Sequence, residues 1–310
     1  MYLCKEMKNN IENKQSSVAS IGFFDGVHRG HICLIEQVID EARRRNLRSM
    51  LVTFDRHPRT VVSHDSVPTL LTTLEEREQL LRHTGIDELS ILPFTWQLSQ
   101  LTAREFMEKV LKSKLGVSVL VLGYDHTFGH DGGSLEDYMQ WGQETGIEIV
   151  RAHELECLMV SSSKCRRLLE QGRVEQANKM LGRPYSLKGK VVKGFHVGHE
   201  LGYPTANLRT DNTKLIPALG AYAVLASLDN GTRYEGMLNI GHRPTIGNGE
   251  EVSIEVNLLD YEGDLYGQML SVEFMGRLRE ERRFSSKDEL IAQLSHDETA
   301  TRKILAHKLA

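Results

Sequence analysis

Residues 22–31 read GFFDGVHRGH, two histidines three apart among glycines, between an apolar run and a helical pattern. Gly22, Gly26 and Gly30 leave the backbone free to approach a ligand, and a helix beginning near His31 offers unpaired N–H groups and a positive dipole end to a phosphate. Two imidazoles there can donate hydrogen bonds to phosphate oxygens and stabilise charge in a transition state. On spacing alone the blander readings, coincidence or two metal ligands awaiting a third, outweigh this one, and neither a Walker A nor a G-x-G-x-x-G pattern accompanies the turn. A second stretch, KVVKGFHVGHELGYPTANL, places Gly194 and Gly198 in a turn after a strand, and Pro204 then rigidifies the approach to Thr205 and Asn207. A hydroxyl and an amide oxygen are the kind of ligand Mg²⁺ takes beside substrate phosphates, although an ST-turn with an Asn cap explains the same residues. In VSIEVNLL, Val252, Ile254, Val256 and Leu258 share one face and Ser253, Glu255 and Asn257 the other. Glu255 can therefore point into a cleft, where a strand carboxylate is otherwise usually a solvated face.

The elements that must position these residues fall into two rhythms. From Ser17 to about Arg183, short apolar runs alternate with helical patterns: SVASIGFF, then ICLIEQVIDEARRR with Leu34, Ile35, Val38, Ile39 and Ala42 at helical spacing, then MLVTF. LEEREQLLRHTG reads as a helix, LSILPF and SVLVLG as strands, and Thr102 with Glu105 as a capping box for a helix running to Leu115. A Gly-rich loop at 123–133, a further helix and IEIVRA complete this half. The order predicts an α/β domain, a mostly parallel sheet with helices on both faces. After about Pro184 the runs GKVVKGF, GAYAVLASL, YEGMLNIG, VSIEVNLLD and QMLSVEFM are separated only by turns, which predicts an antiparallel sheet or small barrel. Two helical stretches, about 286–294 and 297–308, close the chain. The expected organisation is a loose tail over 1–16, a first domain over 17–184 and a second over 185–310.

The 310 residues exceed what one core usually organises. Hydrophobic residues at 40% and charged residues at 26% are ordinary for a globular chain. A net charge of -4 leaves no electrostatic footprint for nucleic acid. No apolar run approaches the ~20 residues a membrane span needs. Cys4, Cys33, Cys157 and Cys165 contain no C-x-x-C pair and are expected as reduced thiols of a cytoplasmic protein. Arg43, Arg44 and Arg45 read as solvated cations complementing a helix C-terminus.

The motif GFFDGVHRGH strongly resembles the H-x-G-H signature of nucleotidyltransferases, in the form used by bacterial bifunctional riboflavin kinase/FAD synthetases. The resemblance continues in order through TFDRHP (53–58), LGYDHTFG (122–129), VSSSKCR (160–166), LGYPTAN (201–207) and LYG…LREERRF (265–284), nearly the whole chain. It implies a Rossmann-like first domain that transfers AMP from ATP to FMN, giving FAD and pyrophosphate, and a β-barrel second domain that phosphorylates riboflavin. It assigns Gly22, Phe24, Asp25, His28, His31, Asp125, Ser162, Ser163 and Arg166 to ATP in the first reaction, with His28 and His31 on its phosphates. Phe54, His57 and Phe128 are assigned to the flavin, Phe54 being equally placed for the core. In the second reaction it assigns Gly194, Gly198, His199, Thr205 and Asn207 to ATP, and Thr205 and Asn207 to Mg²⁺. Glu255 becomes the base that takes the riboflavin 5′-hydroxyl proton, and Arg279 belongs to a loop closing over the flavin. Five positions depart from the family pattern: Ser163 for Thr, which keeps the hydroxyl; Cys165 for Ile, a packing change; His126 for an aromatic residue; His199 for an Arg that contacts phosphate; and Asn257 for His.

The partners implied are riboflavin, FMN and ATP, with no nucleic acid or membrane and with a weak homo-oligomer allowed. The competing readings are a single-activity enzyme with one domain only binding flavin, and a regulatory flavin-binding protein without turnover. A different nucleotidyltransferase of the same superfamily would leave P-T-A-N and Glu255 unexplained.

Overall fold

A computed structural model describes residues 16–309 apart from 64–66, 124–126, 154–159, 194–201 and 244–250. Two compact units divide the chain: Met1–Pro68 with Leu74–Val160, and Thr69–Thr73 with Ser161–Ala310.

The first unit is a five-stranded sheet, all pairs parallel, in the order β3-β2-β1-β4-β5. The strands are β1 (Ser17–Ile21), β2 (Arg48–Phe54), β3 (Glu88–Leu92), β4 (Val117–Leu122) and β5 (Glu148–Arg151). Alternation along them feeds two apolar layers, as a sheet covered on both faces requires. Val18, Leu51, Val119 and Val121 pack against α1 (Arg29–Arg45). Ala19, Ile21, Met50, Val52, Leu120 and Leu122 pack with Phe106, Met107 and Leu111 on the opposite face. That second layer is completed by Tyr138 of α6 (Leu135–Thr145). Three short helices, α2 (Arg59–Val62), α3 (Leu74–Arg82) and α4 (Trp96–Ser99), flank β2 and β3.

The capping box forms as expected, with the Thr102 hydroxyl accepting from Glu105 N–H and the Glu105 carboxylate accepting from Thr102 N–H. The helix it starts is α-helical only over α5 (Ala103–Phe106) and widens into a π-helical stretch, Met107–Lys112. There Ser113 N–H reaches Glu108 O and Leu115 N–H reaches Val110 O, five residues back. The expected SVASIGFF strand ends at Ile21, because Phe24 leaves extended backbone for a left-handed conformation.

The second unit is a closed barrel in the order β10-β7-β6-β11-β8-β9, antiparallel at every pair. Its strands are β6 (Tyr185–Val192), β7 (Ala206–Thr210), β8 (Gly220–Leu228), β9 (Arg233–Arg243), β10 (Glu251–Leu258) and β11 (Met269–Glu280). The helices α7 (Ser162–Glu170) and α8 (Val174–Leu181) join this unit, so its contacts begin 23 residues before the seam expected at 184. The reason is specific pairing. Asn178 of α8 donates to Phe274 O and accepts from Tyr185 N–H, and the Glu175 carboxylate accepts from Arg277 N–H. Residues 69–73 also belong here, since Leu70 exchanges backbone hydrogen bonds with Thr213 and Leu215.

The two helices expected at the C-terminus are one, α9 (Lys287–Leu309). No Gly or Pro interrupts residues 287–309, and Thr299 bonds back to Ser295 O across the expected gap. On the barrel side of α9, Ile304 and Leu305 pack against Leu225 and Met275.

Candidate active sites

In a doubly wound parallel sheet, ligands sit outside the carboxyl ends of the strands where strand order reverses. Here that point lies between β1 and β4, followed by GFFDGVHRGH and by the 123–133 loop respectively. His28 is the N-cap of α1, and its Nδ1 accepts the His31 backbone N–H at 3.3 Å. With Nδ1 used as acceptor, a neutral His28 carries its proton on Nε2, a donor for an incoming oxyanion. The His31 ring stacks on that of His28, centroids 3.6 Å apart and 16° from parallel. The first turn of α1 contains no acidic residue, so its dipole end is unopposed by local charge.

The turn leading to this pair is strained. Phe24 at φ 55° and Val27 at φ 38° occupy left-handed backbone that such side chains avoid, at a cost of order 1–3 kcal/mol each. A β-branched residue there is an outlier that persists only when its surroundings hold it. Gly22 is crowded for a different reason: a Cβ on it would sit 3.0 Å from the Phe24 ring, which would have to give way. Phe24 in turn presents its edge to His31 at 5.3 Å and is buried, as is Asp25.

Of the expected flavin contacts, Phe54 lies in the core, 8% exposed and edge-on to Phe94 at 5.0 Å. His57 is half-buried, its ring 4.8 Å from Phe23, with Nδ1 accepting from Arg59 N–H. Phe128 is half-buried, and its main chain is clamped by the Tyr138 hydroxyl, which donates to Phe128 O and accepts from Phe128 N–H, both at 2.9 Å. Gly129 follows at φ 83°, where a Cβ would meet Ala103 N at 2.3 Å, so the loop's exit admits only glycine. Asp125 and His126 lie outside the described residues.

Ser162 and Ser163 open α7, which Ser161 caps by accepting from Lys164 N–H. These residues and Arg166, whose Nε donates to Thr69 O at 2.8 Å, belong to the barrel unit. Cys165 is fully buried, in keeping with a packing change. Of the three arginines ending α1, Arg43 and Arg44 are exposed, 77% and 69%, as expected, whereas Arg45 is half-buried. Arg44 and Arg45 pair with the buried Glu41, and Arg45 also makes a two-pronged pair with Glu148 on β5.

In the barrel unit, Glu255 sits opposite Asn207 in the β10–β7 register. The Thr205 hydroxyl donates to Glu255 Oε2 at 3.2 Å, and Asn257 fixes the turn by donating to Pro204 O at 2.8 Å. The strand departs from simple alternation. Ser253 and Asn257 are buried along with Ile254, Val256 and Leu258, while Val252 at the strand's start is exposed. The other face of β10 is therefore covered too, with Glu255 the half-buried exception. An open cavity of about 270 Å³ is lined by Val256, Leu258, Pro204, Thr205 and residues 261–266. Val256 and Leu258 alternate with Glu255, so the cavity lies across the strand from the carboxylate, and Thr205 borders both. Gly194, Gly198 and His199 lie outside the described residues.

Arg279 is on strand β11 rather than in the loop after it, because Arg279 pairs with Ala221 of β8. Its guanidinium is held by Asp297 of α9 at 2.9 Å, an acidic partner that motif reading missed. Arg77 was missed as well. In LEEREQLLR it falls between Leu74 and Leu81 at spacings of three and four, the stripe of a helix that faces a core, and that spacing was the available signal.

Among the described residues no cluster of three His, Cys, Asp or Glu could hold a metal, and no helix is long and apolar enough to cross a membrane. The oxygen donors of Thr205, Asn207 and Glu255 are nonetheless of the hard kind that suits Mg²⁺.

The FAD synthetase family model matches residues 10–164 and the riboflavin kinase model residues 181–305. Curated relatives described as bifunctional riboflavin kinase/FMN adenylyltransferase are 35% identical in Listeria monocytogenes, over 94% of this chain and 93% of that one. In Escherichia coli strain K12 the relative of the same description is also 35% identical, over 94% and 93%. A solved structure described as a macrolide-efflux protein from Streptococcus pneumoniae is 34% identical with a TM-score of 0.84, covering 94% of this chain and 96% of that one. The efflux description has no counterpart in the residues above, whereas the ordered motifs and both family models agree with one another. The chain belongs to the bifunctional riboflavin kinase/FMN adenylyltransferase family.

Proposed function

We propose that this enzyme divides its two reactions between the two polar clusters. The barrel unit phosphorylates riboflavin: Glu255 takes the 5′-hydroxyl proton as that oxygen attacks the γ-phosphorus of ATP and ADP leaves. Thr205 and Asn207 hold Mg²⁺, which when bound neutralises phosphate charge. The α/β unit then adenylylates FMN: a phosphate oxygen of FMN attacks the α-phosphorus of a second ATP and pyrophosphate leaves. His28 and His31 bind and stabilise the phosphates, and the dipole of α1 favours their charge. The phosphate of FMN is already an anionic nucleophile, so alignment and charge stabilisation are the protein's main tasks there.

Motif position assigns Ser162, Ser163, Arg166 and Asp125 to ATP in the second reaction, and His57 and Phe128 to its flavin. It likewise assigns Gly194, Gly198 and His199 to ATP, and Arg279 to flavin, in the first. The observation that carries the reading is the Thr205–Glu255 hydrogen bond, which joins the P-T-A-N hydroxyl to a strand carboxylate 50 residues away.

The test is a chromatographic time course with riboflavin, ATP and Mg²⁺, and a parallel reaction started from FMN. FMN should appear and give way to FAD in the first tube, and FAD should form directly in the second. FMN accumulating without FAD in both tubes would reduce the protein to a kinase. His28→Ala should abolish FAD formation and leave riboflavin phosphorylation at the wild-type rate; parallel loss of both in a folded variant would refute the division of labour.

A further inference from the structure

Among the described residues, the largest fully buried side chains are headed by a charged one, Arg77 of α3, 1% exposed. Its guanidinium lies over the Phe23 ring, 4.0 Å from the centroid, and its Nη2 donates to Phe54 O at the end of β2. The carboxylates of Asp25 and Asp55 both act on it electrostatically. Its Nε has no hydrogen-bond partner among the described residues. Burial pushes its pKa down to about 10, against the pull of the two aspartates, so it is charged at neutral pH.

Each partner belongs to the framework of the histidine turn. Phe23 and Asp25 flank Phe24, one of its two left-handed residues, and Phe23 also carries the His57 ring on its edge. The Thr53 hydroxyl donates to Phe23 O, and Gly22 N–H reaches Val52 O, so the start of the turn is tied to β2. Asp55 accepts from Phe94 N–H and pairs with Arg56, which ties the same end of β2 to the segment after β3. Arg77 therefore touches two of these three chain segments, and its charge acts on both aspartates. A leucine would fill such a helix position without a desolvated charge, and replacing buried ions by apolar groups is often neutral or stabilising. A buried cation at this place is better explained by geometry than by stability.

We propose that Arg77 is a positioning residue for adenylyl transfer, holding the strained 23–27 turn so that His28 and His31 meet the phosphates in register. The proposal rests on the assignment of that pair to FMN adenylylation.

The experiment compares Arg77→Met and Arg77→Lys with the wild-type full chain, following FAD formation and riboflavin phosphorylation from pH 6 to 9. A misplaced reacting group costs on the order of 10²-fold, so Arg77→Met should lose about that much kcat for FAD formation at every pH, with phosphorylation unchanged. A lysine at this desolvated place has its pKa lowered by burial. It faces Asp25 and Asp55, with Arg56 paired to Asp55 and His57 beyond Phe23. Arg77→Lys should therefore retain most activity at pH 6, and its ratio to wild type should fall as the pH rises and the lysine loses its proton. Equal losses in both variants at all pH values would reduce Arg77 to packing and overturn the proposal, as would wild-type kcat in Arg77→Met. Should Arg77→Met melt out by circular dichroism, Phe23→Leu removes the ring instead and should lower kcat for FAD at least tenfold, full activity there being equally fatal. A wild-type chain that makes no FAD would instead strike at the underlying assignment.

Discussion

At the scale of single residues, the proposed kinase chemistry turns on one contact. Glu255 is half-buried, faces Asn207 across the β10–β7 pair and accepts the Thr205 hydroxyl. A carboxylate so placed can receive a proton, and its amide cannot. Glu255→Gln keeps the shape and the hydrogen bond to Thr205, so the barrel should fold unchanged. Removing a general base typically costs ~10²–10⁴-fold. The expected result is that loss in riboflavin phosphorylation, with FAD formation from supplied FMN unaffected. Full-rate phosphorylation by the glutamine variant would mean that the base is another group. At the histidine turn the detail is equally small: the Nδ1 of His28 is spent on capping α1, where it accepts the His31 backbone N–H.

At the scale of elements, loops stay in place because neighbouring elements clamp them. Asp87, just before β3, accepts both the backbone N–H of Ser49 at 2.9 Å and its hydroxyl at 2.6 Å, locking β3 to β2. The Ser49 hydroxyl and backbone N–H hold the Asp87 carboxyl below the usual carboxylate range, against the small opposing effect of burial. The sign follows from linkage. A carboxylate with a depressed folded pKa contributes stability above its unfolded pKa of about 3.9 and loses it as the pH falls through the folded value. Asp87→Asn should therefore lower the melting temperature of the α/β unit at pH 7 and narrow the gap to wild type at pH 3. Melting curves at both values check this, and a gap that widens in acid would refute it.

At the scale of the whole molecule, the chain is two compact units, and each holds a polar cluster of its own. The helices between the parallel sheet and the first barrel strand belong to the barrel by contact, although the riboflavin kinase model matches only from residue 181.

The sequence by itself determined the classes of structure and nominated the reacting groups proposed above. Period-two and period-3.6 patterns are local consequences of backbone geometry, so a parallel α/β unit, a barrel and the Thr102–Glu105 capping box could be read without coordinates. The motifs carrying His28, His31, Thr205, Asn207 and Glu255 are contiguous runs, and their order along the chain pointed to the family. What only the tertiary structure decided involves partners distant in sequence. Arg77 is an ordinary helix arginine until folding places Phe23 and Phe54 around it. Arg279 gains its carboxylate from a helix 18 residues on, and α8 is claimed by Phe274 and Tyr185 rather than by the sheet before it. Patterns report which face of an element is buried, but not what that face meets, because the contact is chosen by packing across the whole chain.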